Sequence, residues 1–189
     1  MPERAKIVEL VDRLTRIAHS IQFAGGLNPA QWEALRFVAR ANRNSCTPGL
    51  LADFMGLTKG TVSQTLKALE SKGLIERHPK CEDRRSVHIL VTAKGNTVLE
   101  NDPLGRISEA LGPCHEFEQA QVLTAMERLL SAVQSFQEVP EFGPCLNCAH
   151  YQPEQCAETN SMGCRCGISG ELFSSLELDK ICSDFSPLR

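Results

Sequence analysis

The 189-residue sequence has no run of apolar residues long enough, at roughly eighteen or more, to cross a bilayer as a helix, so no membrane partner is expected. It has no uninterrupted apolar leader either: the opening MPERAKIVELVDRL mixes charges into a helical pattern, and a cytoplasmic location is expected. Aromatic residues are scarce, eight Phe with one Trp and one Tyr. At this length one or two small domains fit and a large enzyme core does not. Also missing are a Ser/His/Asp spacing, a glycine-rich phosphate loop and a pair of carboxylates set apart from ordinary helix surface, so no enzymatic activity is expected.

What is present is unevenly spread. The net charge of −3 divides into −4 over residues 140–189 and +1 over the rest, while residues 58–94 alone carry eight Lys/Arg against four Asp/Glu. A basic patch on a near-neutral body, followed by an acidic tail, suits a polyanionic partner. Cys46, Cys81 and Cys114 are scattered, whereas six cysteines crowd the last 45 residues. In a reducing compartment such a cluster points to metal or redox chemistry before disulfides.

Two domains are expected, residues 1–139 and residues 140–189. In the first, Ile7, Leu10, Val11, Leu14, Ile17 and Ile21 recur at helical steps up to Ala24-Gly25-Gly26. Asn28-Pro29 caps a second helix with Trp32, Leu35 and Val38 on its buried face, followed by a polar connection from Asn42 to Thr47. A short helix through Leu50, Leu51 and Met55 stops near Gly56. Thr58 then caps a helix carrying Val62, Leu66 and Leu69 to Gly73, which makes a helix-turn-helix. Leu74 to Arg77 and Val87 to Val91 predict a hairpin with a long charged tip, a wing. A helix resumes at Thr92, kinked at Asp102-Pro103, and reaches Leu111. The last one carries Val122, Leu123, Met126, Leu129, Leu130, Val133 and Phe136 and ends before Pro140. The fold class is therefore mainly α: a winged helix-turn-helix with a two-stranded wing and terminal dimerisation helices, plus a small metal-stapled C-terminal segment. The first and last helices are too apolar along one stripe for a lone head to cover. They are expected to pack on each other and on a second copy.

One helix of such a unit fits the major groove of duplex DNA while the hairpin tip reaches the neighbouring minor groove or backbone. Lys59, Thr61, Ser63, Gln64 and Lys67 are the expected exposed positions of that helix, able to meet phosphates or base edges, with Gln64 suited to adenine. At the tip, Arg84 and Arg85 are long cations for a narrow groove and Asp83 can orient a neighbouring Arg.

The stretch LADFMGLTKGTVSQTLKALESKGLIERHPKCEDRRSVHILVTAKG resembles the winged-helix core of the MarR family of bacterial transcription regulators, and the likeness runs over roughly residues 5–138. It includes the glycine–leucine step before the first strand, the Asp-Arg-Arg wing and the Thr-x-Lys-Gly start of the next helix. The resemblance implies a homodimer on a pseudo-palindromic operator, a recognition helix over Thr58, Lys59, Gly60, Thr61, Ser63, Gln64 and Lys67, and Asp83 with Arg85 as a wing pair. Gln64 stands where many members carry Arg. It also implies a small-molecule effector cleft between the dimerisation helices and the head, for which Trp32, Phe37 and His19 are candidate lining residues.

The tail reads Cys145-x2-Cys148-x7-Cys156-x7-Cys164-x-Cys166-x15-Cys182. With few large apolar groups it cannot offset its chain entropy by burial, so a metal crosslink is the natural organising centre. The C-x2-C pair Cys145 and Cys148 aims two thiolates at one ion, Cys182 is the third ligand beside apolar Ile181 and Phe185, and the fourth is Cys164, with Cys156 and Cys166 as alternates. The segments CLNCAHYQPEQC, GCRC and ICSDFSP resemble the small iron–sulfur-binding subunits of glycyl-radical decarboxylases, which implies a [4Fe-4S] cluster. Zinc is the alternative. His150 beside Cys148 is a further candidate, and Cys81 on the wing is a candidate sensor thiol. Because the tail follows the last dimerisation helix, the cluster is expected to act on operator affinity through the packing of that helix. Two other readings stay open: a small-molecule-responsive repressor with a structural zinc, and an iron–sulfur redox module that uses the winged head as scaffold.

Overall fold

The computed structural model describes residues 2–79, 87–137, 139–155 and 162–188. Helix α1 (Glu3–Ile21) precedes α2 (Pro29–Arg40), which begins with a reciprocal Asn28/Gln31 capping box and a proline in its first turn. Thr47 caps α3 (Pro48–Met55) and Thr58 caps α4 (Lys59–Ser71), each hydroxyl accepting from a backbone N–H in the first turn. Between them Gly56 adopts φ 62°, a left-handed conformation that lets the chain turn tightly.

Strands β1 (Ile75–Pro79) and β2 (Val87–Val91) pair antiparallel with Ile75 opposite Val91 and Pro79 opposite Val87. Ile89 N–H also donates to Cys46 O at 3.0 Å, so the connection between α2 and α3 lies along the edge of the wing. The core of this head is Trp32, Leu35, Phe37, Leu51, Val62, Leu66, Leu69, Ile75 and Ile89, contributed by α2, α3, α4 and the wing.

After the wing, the expected kinked helix is two helices, α5 (Ala93–Leu99) and α6 (Gly105–Leu111). Pro103 offers no N–H, and Asp102 accepts from Leu104 N–H at 2.9 Å while pairing with Arg36, which fixes a turn where a bent helix was expected. Helix α7 (Glu116–Gln137) follows. No residue of α1, α6 or α7 is buried: Ile7, Leu10, Leu14, Ile17, Leu123, Met126 and Leu130 all face solvent. The two terminal stripes thus do not cover each other within one chain.

The tail has a fold of its own. Its strands β3 (Tyr151–Gln155), β4 (Met162–Cys166) and β5 (Leu172–Phe173) form an antiparallel sheet in that order, flanked by 3-10 turns at Cys145–Asn147 and Ser175–Glu177. It does not stand apart. Ile181 joins the core of the winged head, and the Phe142 ring packs edge-on against Phe54 and Phe37 at 5.3 and 6.5 Å. No helix among the described residues is long and apolar enough to cross a membrane.

Candidate nucleic-acid interface and cysteine pocket

Helix α4 is fastened by one face. Val62, Leu66 and Leu69 are fully buried, while Lys59, Gly60, Thr61, Gln64 and Lys67 are exposed. Ser63 is half-buried, because it sits on the shoulder beside Val62 and Leu66, and so falls short of the exposure expected of it. Thr58 Oγ1 accepts from Thr61 N–H at 3.2 Å and lies 2.9 Å from Thr61 Oγ1, which fixes both hydroxyls at the tip of the helix. The first-turn N–H groups and Lys59 leave this tip electropositive. Asp83, Arg84, Arg85 and Cys81 lie outside the described residues.

The far end of α4 is anchored by the motif that follows the wing. Thr92 Oγ1 donates to Gly73 O at 2.7 Å and accepts from Gly95 N–H, while Lys94 Nζ donates to Lys72 O at 2.8 Å. Lys72 Nζ in turn donates to Gly26 O at 2.7 Å and to Gln31 Oε1 at 2.8 Å, and Arg77 pairs with Glu70 at 3.3 Å. Several cations of the basic stretch therefore hold the head together, and Lys59 and Lys67 on α4 are the ones turned outward.

A cleft of about 410 Å³ opens between α1 and the head, lined by Thr15, His19, Glu33, Arg36, Phe37 and Arg40 among others. Burial pushes the Glu33 carboxyl up, and Arg36 pulls it down in part. His19 and Phe37 line this cleft as expected. Trp32 does not; it is buried in the core with its indole N–H donating to Ala24 O at 3.1 Å.

In the tail, Cys145, Cys148, Cys164, Cys166 and Cys182 surround one small pocket with His150, Tyr151, Phe173 and Asp184. Three separate segments bring them there: the 3-10 turn, strand β4, and the stretch where Cys182 bridges to Gly143. Cys145, Cys148, Cys164 and Cys182 are buried and Cys166 is half-buried, all as free thiols. Burial pushes Cys145 up to about 12, with further contributions from Cys164, Cys182 and Cys148, and burial likewise raises Cys164 and Cys182. Cys166 is lowered: burial acts against it, and the backbone N–H groups of Ser169 and Ile168 more than offset that effect. Cys156 lies outside the described residues, and Cys114 and Cys46 are not among the residues that line the pocket.

Among the described residues no three His, Cys, Asp or Glu side chains stand in ready-made metal-ligand geometry, so the expected metal staple is not shown. The chemistry of the donor set nonetheless fits a cation. Crowded sulfurs that hold one another protonated by burial and mutual repulsion are relieved by a positive charge between them. At Cys182 the raising effect of burial is opposed in part by the Asp184 backbone and the Asn42 side chain.

The tail lies beside α7, with Leu130, Ser131 and Gln134 facing Phe185 and Pro187 across a groove. Its described hydrogen bonds, however, run to the connection between α2 and α3. Asn42 N–H donates to Ile181 O at 2.9 Å, Ile181 N–H to Arg40 O at 2.8 Å and Ser183 N–H to Ser45 Oγ at 2.9 Å. Arg43 pairs with Glu177 at 3.1 Å and stacks over Phe173, 4.7 Å from its centroid. Sequence reasoning missed this docking, since it rests on long-range contacts of Ile181, Ser183, Glu177 and Phe173 with residues 40–45.

The model of the MarR family matches residues 25–86. The HTH-type transcriptional repressor YetL of Bacillus subtilis is 29% identical over 105 residues, 54% of this chain and 63% of YetL. The HTH-type transcriptional regulator SarZ of Staphylococcus saprophyticus is 32% identical over 77 residues, 41% of this chain and 51% of SarZ. The chain thus spans about half to three-fifths of the length of the curated relatives it matches. The S. aureus MepR–DNA complex superposes with a TM-score of 0.54 at 21% identity, over 71% of this chain and 99% of that one. The winged head at residues 25–86 matches the MarR family, and the fold built around it is a MarR-like winged helix.

Proposed function

We propose that the chain is a sequence-specific double-stranded DNA-binding transcription regulator that works as a homodimer on a pseudo-palindromic operator, with its affinity modulated by a [4Fe-4S] cluster in the cysteine pocket. The observation that carries the DNA-binding part is α4: its inner face is locked into the core while Lys59, Thr61, Gln64 and Lys67 point outward from a tip capped by Thr58. Lys59 and Lys67 are placed for phosphates and Gln64 for a base edge. Asp83, Arg84 and Arg85, which the sequence assigns to the wing, are the further residues proposed to contact the duplex. The uncovered apolar stripes of α1, α6 and α7 support a second copy as partner, which sets the two recognition helices roughly 34–36 Å apart, one turn of duplex.

In the pocket, Cys145, Cys148, Cys164 and Cys182 are the residues that would hold the cluster, with Cys166 as the replacement thiol. A bound [4Fe-4S] group supplies one-electron redox chemistry. The chain's own contribution is to bury the sulfurs beside Tyr151 and Phe173. A second reading, favoured by the cleft between α1 and the head, is a small-molecule-responsive repressor whose thiols hold a structural zinc.

Iron, sulfide and zinc content per protomer, with an absorption spectrum of protein purified without oxygen, separates the two. About four iron and four sulfide supports the cluster; one zinc and a colourless solution supports the second reading.

A further inference from the structure

A second cavity, of about 250 Å³, opens where the tail meets the base of the wing. It shares no lining residue with the cleft beside α1 or with the cysteine pocket. Val38 of α2, Ala41 and Cys46 of the α2–α3 connection and Ile89 of β2 form its apolar wall, and all four are buried. Its charged residues are Arg43, on the same connection, and Glu177 and Lys180, on the tail, with His88 of β2 and Asn96 of α5 as the other polar groups. Two permanent cations therefore line the cavity against one carboxylate.

Arg43 and Glu177 are committed to other partners. Arg43 pairs with Glu177 at 3.1 Å and Glu171 at 3.5 Å and stacks over Phe173. Glu177 also accepts from Ser174 N–H at 3.3 Å and from Ser174 Oγ at 3.2 Å. Lys180 is half-buried, and its ammonium has neither a hydrogen-bond nor an ion-pair partner among the described residues. Its charge acts on the Cys46 sulfur in the apolar wall. A cation partly withdrawn from water and left without a counter-charge is costly. An anion with an apolar body satisfies the ammonium and the wall together.

We propose that this cavity binds a small organic carboxylate, with the carboxylate on Lys180 and the hydrocarbon body along Val38, Ala41, Cys46 and Ile89. At about 250 Å³ the space falls below the roughly 300–1,000 Å³ of drug-sized sites, which points to a short aliphatic acid. Inorganic phosphate would leave the apolar wall uncovered, and an alcohol of the same length would leave Lys180 unpaired. Because the cation comes from the tail and the wall from α2, the connection and the wing, the bound acid bridges the tail and the winged head. The site depends on neither the proposed cluster nor the α1 cleft.

Hexanoate is the probe, titrated into the full chain by calorimetry beside hexanol and inorganic phosphate. Hexanoate is expected to bind once per protomer, at least roughly tenfold more tightly than either of the others. Lys180→Met should weaken it roughly 10–100-fold, and Lys180→Arg should keep most of the affinity. Ala39→Leu, at a half-buried position of α2 that lines the cavity, leaves the charge in place and should weaken binding by filling the space. Hexanol or phosphate binding as tightly as hexanoate overturns the proposal, and so does a protein that takes up no hexanoate. Unchanged affinity in Lys180→Met places the acid elsewhere and overturns it as well. A second measurement needs no variant: nuclear Overhauser contacts from the terminal methyl of hexanoate should reach the methyls of Val38 and Ile89. Contacts to Ala18 in the α1 cleft instead contradict the assignment.

Discussion

Arg36 on α2 and Asp102 in the turn between α5 and α6 form an ion pair of 2.9 Å, with side chains 16% and 21% exposed. Arg36 also donates to Gln22 Oε1 at the end of α1. One guanidinium thus joins the winged head to the segments that lead into both uncovered helical stripes. Arg36→Ala leaves Asp102 and Gln22 without this partner in a largely shielded place, and a loss of about 1–3 kcal/mol is expected. Denaturant unfolding of the variant at neutral pH measures it; an unchanged midpoint contradicts a joining role.

Gln64 and Lys67 lie one turn apart on α4 and should fail differently. Gln64→Ala is expected to relax preference at one base position by about 1–3 kcal/mol with little effect on random duplex. Lys67→Ala is expected to weaken operator and random duplex alike and make the salt slope shallower by about one unit, and Arg85→Ala on the wing should behave as Lys67→Ala does. Binding to both duplexes across a salt series distinguishes the two patterns; a large uniform loss for Gln64→Ala reverses the assignment.

Gly95, the last residue of the Thr-x-Lys-Gly motif, has no room for a side chain. A Cβ there would sit 2.2 Å from Leu74 O and 2.6 Å from Val91 Cγ1. Gly95→Ala is expected to destabilise the head by about 1–3 kcal/mol through overpacking, read as a lower unfolding midpoint and weaker operator binding together.

Cys46 is buried and donates to Ile89 O at 2.9 Å. Burial pushes its thiol from 9.0 up to about 11, with the Ile89 backbone N–H and the Lys180 charge pulling the other way. A raised thiol stays protonated in the folded state while the unfolded chain ionises, so its stabilising contribution is complete below pH 9 and is lost as pH rises toward 11. The protein with Cys46 should therefore lose stability more steeply over that window than Cys46→Ala. Equal slopes contradict the burial argument.

Much of the head is legible in the sequence because local chemistry specifies it. Asn28 and Thr58 are caps, Gly56 is the turn, and the 62/66/69 spacing defines the inner face of α4, all within a few residues of the structures they produce, whereas the Thr47 cap reads only as the end of a polar connection. Where a long-range partner decides, the sequence says less. Asp102-Pro103 reads as a kink until Arg36 is seen to hold it as a turn. In the tail, YQPEQ and MGCRC have no apolar alternation, and their pairing follows from a sheet that closes around the cysteines. Phe142 and Ile181 look like tail residues, yet their packing partners lie about a hundred or more positions away, in α2, α3 and the connection between them. The cysteine spacing does anticipate the pocket, since Cys145, Cys148, Cys164 and Cys182 all line it; Cys166 lines it as well, which spacing alone left as an alternate.

The proposed control of DNA binding by the cysteine pocket is open to one direct measurement. Operator affinity of anaerobically purified, cluster-loaded protein, compared with the same protein after removal of the cluster at one fixed salt concentration, tests it directly. Control by the pocket requires affinities that differ by about 5–150-fold, the usual range for coupled sites. Equal affinities would contradict it and leave the pocket a purely structural role.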